Sequence, residues 1–66
     1  MKITLNGRPQ EYAEALNLKN LVEQFYQERR KIIIEINGKI IKNPQWQDTL
    51  IREGDRIELI TLVGGG

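Results

Sequence analysis

The stretch Arg56-Ile57-Glu58-Leu59-Ile60-Thr61-Leu62-Val63 decides how the rest of the chain assembles. Its β-branched and aliphatic content predicts a strand. Period two puts Ile57 and Leu59 on one face and Ile60 and Leu62 on the other. An edge strand does not normally carry large aliphatic side chains on both faces, so this strand belongs in the middle of a sheet. Upstream, Glu53-Gly54-Asp55 reads as a turn. Further back, Ile32-Ile33-Ile34-Glu35-Ile36 predicts another strand. Asn37-Gly38 ends it in a tight turn, because both central residues of a type I′ turn need positive φ. Lys39-Ile40-Ile41-Lys42 is the matching hairpin strand. At the start of the chain Met1, Ile3 and Leu5 alternate with Lys2 and Thr4, and Asn6-Gly7 makes a second such turn. The strand after it, Arg8 to Ala13, contains Pro9, which cannot donate to a ladder and so confines it to an edge.

Between the two hairpins, Asn17 is an N-cap and Leu18, Leu21, Val22, Phe25 and Tyr26 follow helical spacing. Phe25 stands mid-stripe and is expected in the core, where truncation to Ala would cost about 3–5 kcal/mol. Glu14 precedes this helix. Arg29-Arg30-Lys31 reads as its solvated C-terminus, where positive charge suits the helix dipole, or as a docking patch for a nucleotide or acidic partner. Asn43-Pro44-Gln45-Trp46 reads as a turn. Trp46 is expected to cap the rim of a small core, or to anchor a partner.

The order is hairpin, helix, hairpin, final strand. It predicts an α+β fold in which the helix covers one face of a mixed sheet of about five strands. The simplest assembly sets the last strand beside the first, parallel to it, with the hairpins outside. That is the β-grasp, or ubiquitin-like, architecture, expected as one domain over residues 1–63 with a flexible glycine tail at 64–66. In such a sheet Ile32, Ile34, Ile36, Ile57 and Leu59 meet the helix. Ile33, Ile60 and Leu62 point the other way, where no second helix exists to cover them. They form a partner-binding patch, or are partly covered by loops. Glu35 and Glu58 could pair as carboxylates, but their strand setting favours solvated outward positions.

The chain has 66 residues, a net charge of +1 and 29% charged residues, with no Cys and no His. Folding buries about 60% of the surface of a chain this size, which is marginal for a lone domain. Without thiolates or imidazoles, no disulfide framework, thiolate metal site or histidine base is available. Ser is absent as well, and the hydroxyl groups that remain have no imidazole to activate them. The residue inventory therefore points away from a self-contained enzyme, and no catalytic or metal-binding residue is expected. The charge balance is wrong for a nucleic-acid footprint, and no apolar run reaches membrane-spanning length. The N-terminus shows no signal-peptide pattern, so a cytoplasmic location is expected.

Several of these segments together resemble the ThiS family of sulfur carriers in thiamine biosynthesis. They are the Asn6-Gly7 hairpin, the helix stripe, Ile36-Asn37-Gly38-Lys39-Ile40-Ile41, Trp46 and Glu53-Gly54-Asp55-Arg56-Ile57-Glu58-Leu59. The most specific is Leu62-Val63-Gly64-Gly65-Gly66. The family often places Pro directly after the fourth strand, whereas here Lys42-Asn43 intervene before Pro44. The resemblance implies that a ThiF-type adenylating enzyme activates the Gly66 carboxylate with ATP. A sulfur donor protein then converts it to a thiocarboxylate, and a ThiG-type thiazole synthase takes the sulfur. The carrier itself would bind no cofactor. Glycine suits such a tail because it lacks Cβ and lets backbones approach closely. Other readings of the same fold are a molybdopterin-type sulfur carrier, a ubiquitin-like protein modifier, and a plain binding module with an idle tail.

Overall fold

The computed structural model describes residues 1–13, 16–25 and 30–63. Five strands form one sheet: β1 (Lys2–Leu5), β2 (Arg8–Glu11), β3 (Arg30–Ile36), β4 (Lys39–Ile41) and β5 (Arg56–Val63). Their order across the sheet is β2-β1-β5-β3-β4. The last strand is central, parallel to β1 and antiparallel to β3, with a hairpin outermost on each side. This is the expected β-grasp arrangement. Strand β2, which carries Pro9, lies at an edge.

Both Asn-Gly turns have the positive φ that the sequence demands: Asn6 50°, Gly7 80°, Asn37 52° and Gly38 86°. Each asparagine also reaches across to β5. Asn6 Oδ1 accepts from Leu59 N at 2.7 Å. Asn37 Oδ1 accepts from Arg56 N at 2.9 Å, and its Nδ2 donates to Asp55 Oδ1 at 3.1 Å. Asp55 Oδ2 in turn accepts from Arg52 N at 2.8 Å, which holds the turn before β5. The backbone N–H groups of the same two asparagines donate to Ile57 O and Arg56 O.

The first helix, α1 (Leu18–Glu23), begins where expected, with Asn17 Oδ1 accepting from Asn20 N at 2.8 Å. Two backbone bonds, Leu18 N to Thr49 O and Ile51 N to Leu16 O, pin its start to the chain after β4. Leu18, Leu21 and Val22 enter the core with Ile3, Leu5, Ile34, Trp46, Ile51 and Ile57. Ile32, Ile36 and Leu59 pack partly buried against that cluster, on the helix side as expected.

Four expectations need correction. Phe25 is 40% exposed rather than a core residue. The helix tightens at its end, with Gln24 N bonding Leu21 O and Phe25 N bonding Val22 O. Such i→i−3 bonds turn the chain by about 120° per residue instead of 100°, which swings Phe25 off the stripe. Tyr26 and Arg29 lie outside the described residues, as does Glu14. Arg30 and Lys31 belong to β3 and not to the helix end, because Arg30 and Lys31 pair with Val63 and Leu62 of the long central strand. Strand β2 stops at Glu11, short of Ala13. Finally, Asn43-Pro44-Gln45-Trp46 forms a short helix, α2, with Pro at its first turn. A first-turn N–H has no intrahelical partner, so Pro loses nothing there. Trp46 is buried, and its Nε1 donates to Ile41 O at 2.8 Å. It therefore belongs to the core as an internal prop under β4.

Two stability predictions follow from this packing. Leu21→Ala should cost about 2–5 kcal/mol, whereas Phe25→Ala should cost about 1 kcal/mol, measured by urea unfolding. Asn6→Gly and Asn37→Gly both keep a turn-compatible residue but strip a β5 N–H of its acceptor. Each should lower stability by about 1 kcal/mol, although glycine satisfies the φ requirement equally well.

Candidate functional site

The register between β3 and β5 composes the sheet face opposite α1. Ile33 sits directly across from Ile60, Lys31 across from Leu62, and Glu35 across from Glu58. Because Ile34 and Ile57 are fully buried beneath α1, these alternating residues must face away from it. Ile60 is 42% and Leu62 45% exposed, while Ile33 is half-buried between its neighbours. The structure therefore brings Ile33, Ile60 and Leu62 together on one open face. No helix among the described residues covers it.

Sequence reasoning missed Ile40 on that face. In β4 it pairs with Glu35, and it is 59% exposed. The signal was available in the turn. A two-residue loop at Asn37-Gly38 forces Ile36 opposite Lys39, and so Glu35 opposite Ile40. The face is thus aliphatic, with a carboxylate pair at its middle where Glu35 and Glu58 stand across from each other. Neither glutamate has a cation within 4 Å among the described residues, where the one ion pair joins the Met1 amino group to Glu11. These carboxylates point outward, as expected.

A groove of about 500 Å³ lies between α1 and α2, lined by Val22, Glu23, Pro44 and Trp46 among others. It belongs to the helical side and gathers none of Ile33, Ile60 and Leu62, although Trp46, the alternative partner anchor, lines it. Among the described residues no group of three or more acidic, His or Cys side chains could hold a metal ion. Gly64, Gly65 and Gly66 lie outside the described residues. They follow Val63, the last residue of β5, directly in sequence.

The ThiS family model matches residues 3–66, nearly the whole chain and including those glycines. The chain belongs to the ThiS family. It is 29% identical to the sulfur carrier protein ThiS of Escherichia coli (strain K12), with both chains covered in full. A crystal structure of the thiamine biosynthesis protein ThiS from Geobacter metallireducens superposes with a TM-score of 0.82, at 30% identity and full coverage of both chains. A thiazole synthase of Paramagnetospirillum magneticum is also similar, at 24% identity. The whole chain spans only 20% of that longer protein. Family and fold agree: this is a small sulfur carrier of thiamine biosynthesis, as its resemblance implied.

The facing glutamates give a test of the register. Like charges directly opposite in a sheet repel, so Glu58→Gln should raise stability by roughly 0.2–1 kcal/mol. A thermal melt at low ionic strength checks this. A register slip of one residue would separate the two carboxylates onto opposite faces and abolish the gain.

Proposed function

We propose that the group carried through the sulfur-transfer cycle is the carboxylate of Gly66, on a tail of residues 64–66 attached to one β-grasp domain of residues 1–63. A carboxylate is a poor acyl donor, because its oxygen is a poor leaving group. A ThiF-type adenylating enzyme overcomes this with ATP: the Gly66 carboxylate oxygen attacks the α-phosphorus and pyrophosphate leaves. Hydrosulfide released by a sulfur donor protein then attacks the carbonyl carbon, and AMP departs with the C–O electron pair. The thiocarboxylate that results gives its sulfur to a ThiG-type thiazole synthase. ATP is consumed by the activating enzyme, and the carrier binds no cofactor of its own. The observation that carries this reading is that the family match runs through Gly64-Gly65-Gly66, directly after the central strand. The similarity to part of a thiazole synthase supports that enzyme class as the acceptor.

The face of Ile33, Ile60 and Leu62 is the proposed docking surface for both enzymes. Leu62 lies two residues before Gly64, so a partner seated on the patch holds the tail close to its own reacting groups, an advantage of proximity. Each aliphatic side chain buried there contributes roughly 1.5–3 kcal/mol before ordering costs. No helix among the described residues is long and apolar enough to cross a membrane. The proposed cycle runs in the cytoplasm, where ATP is at hand for the activating step.

Incubation with a ThiF-type enzyme, ATP and a sulfur source, followed by intact-mass measurement, tests the assignment. The wild-type chain should gain the mass of an oxygen-to-sulfur exchange. A chain extended by one Ala after Gly66, or lacking Gly66, should keep its fold and gain nothing. Adenylation of the extended chain would overturn the assignment. Ile60→Asp should cost the free domain about 1 kcal/mol, through loss of the cross-strand pair with Ile33 and charge crowding near Glu58. Its affinity for the adenylating enzyme should fall at least tenfold, as measured by titration calorimetry.

A further inference from the structure

The chain contains the dipeptide Asn-Gly twice, each time at the centre of an exposed two-residue turn with closely similar φ values. Asn-Gly is chemically the most reactive setting for an asparagine side chain. Glycine has no Cβ to shield its backbone nitrogen from the neighbouring carboxamide. In both turns that nitrogen, Gly7 N or Gly38 N, donates to no backbone acceptor among the described residues.

The two carboxamides are held differently. Among the described residues Asn6 is tied only through Oδ1, which accepts from Leu59 N. Asn37 is tied at both ends. Its Oδ1 accepts from Arg56 N and its Nδ2 donates to Asp55 Oδ1. The carboxylate that receives Nδ2 is itself fixed by Arg52 N at 2.8 Å. A hydrogen bond to a charged acceptor is among the stronger ones. For Cγ to swing onto the glycine nitrogen, Asn37 must break two bonds where Asn6 breaks one.

We propose that Asn6 is a site of spontaneous deamidation, and that Asp55 guards Asn37 against the same reaction. The chemistry needs only water. The deprotonated Gly7 nitrogen attacks Asn6 Cγ and forms a C–N bond, and the Cγ–Nδ2 bond breaks to release ammonia. Water then opens the cyclic imide at either carbonyl, giving an aspartate or an isoaspartate. The aspartate keeps an oxygen for Leu59 N and leaves the turn intact. The isoaspartate adds a backbone carbon to a two-residue turn that sets the β1–β2 register, and so weakens the sheet beside β5. At position 37 even the plain aspartate is harmful, because a carboxylate replaces the Nδ2 donor facing Asp55 Oδ1.

The test is peptide mapping by mass spectrometry after incubation of the full chain at mildly alkaline pH. The two sites are internal controls for each other, because global unfolding exposes both equally. Asn6 should convert about tenfold faster than Asn37, the factor that corresponds to about 1.4 kcal/mol. Asp55→Ala should bring the Asn37 rate up to that of Asn6. Asp55→Asn retains an amide oxygen for one of the two bonds and protects the fold if the alanine variant is unstable. It should narrow the gap at least threefold. Equal rates in the wild-type chain, faster conversion at Asn37, or no conversion at either site would overturn the proposal. So would an undiminished gap in the folded Asp55→Asn variant.

Discussion

The backbone of β5 is the element on which everything else depends. It is flanked on both sides, parallel to β1 and antiparallel to β3, and each hairpin reaches the rest of the sheet only through it. The ladder with β1 is brief, pairing Thr4 with Arg56 and Leu5 with Ile57. Where β1 turns away, the Asn6 side chain takes over and accepts from Leu59 N. On the other flank Asn37 does the same for Arg56 N just before the ladder with β3 begins. One residue type thus serves two needs at each turn. Asparagine tolerates the left-handed backbone, and its carboxamide supplies the acceptor that a glycine there would lack. The parallel pair is the hardest contact in the fold to close, because its partners are far apart in sequence. The side-chain bonds from both turns stand where that closure needs support.

Fixing β5 at the centre divides the sheet into unequal faces. The inward set of Ile34 and Ile57 is sealed by Leu18, Leu21 and Val22 of a helix only six residues long, with Trp46 of α2 filling the remaining flank. No helix among the described residues covers the other face, because α1 and α2 both pack on the side of Ile34 and Ile57. Ile33, Ile40, Ile60 and Leu62 are therefore left in contact with water, around the facing pair Glu35 and Glu58. Two devices limit the hazard of that exposed aliphatic surface. The glutamates oppose close self-association, and Pro9 blunts one edge of the sheet.

The parts of this fold that were legible in the sequence are those governed by local rules. Asn-Gly demands its turn whatever surrounds it, Pro9 cannot enter a central strand, and Asn17 caps a helix by reaching three residues ahead. Aliphatic residues on both faces of β5 placed it centrally, and the same alternation put Ile33, Ile60 and Leu62 on one face. What failed were boundaries set by tertiary competition. Spacing alone carried Phe25 into the helix stripe, yet the helix tightened at its last turn. Arg30 and Lys31 looked like helix-terminal cations, but pairing with Leu62 and Val63 recruits them into β3. Asn43-Pro44-Gln45-Trp46 suggests a turn by its composition, although Pro at a helix start costs nothing. Ile40 was missed because its face depends on register across the turn, a relation between two strands and not a pattern within one.

The layout also explains why a carrier gains from being small and stiff. A transferable group must sit at the end of a tail thin enough to enter another protein's active site, so glycine is the natural choice there. Glycine brings maximal conformational entropy, which binding must then suppress. Placing the tail after the central strand limits that cost. Up to Val63, β5 is held along its length by β3, from Arg30↔Val63 down to Ile36↔Ile57. A partner that engages Ile60 and Leu62 therefore grips the same rigid strand from which the tail departs. In the proposed cycle, the interaction that recognises the carrier and the one that positions Gly66 are then mechanically the same.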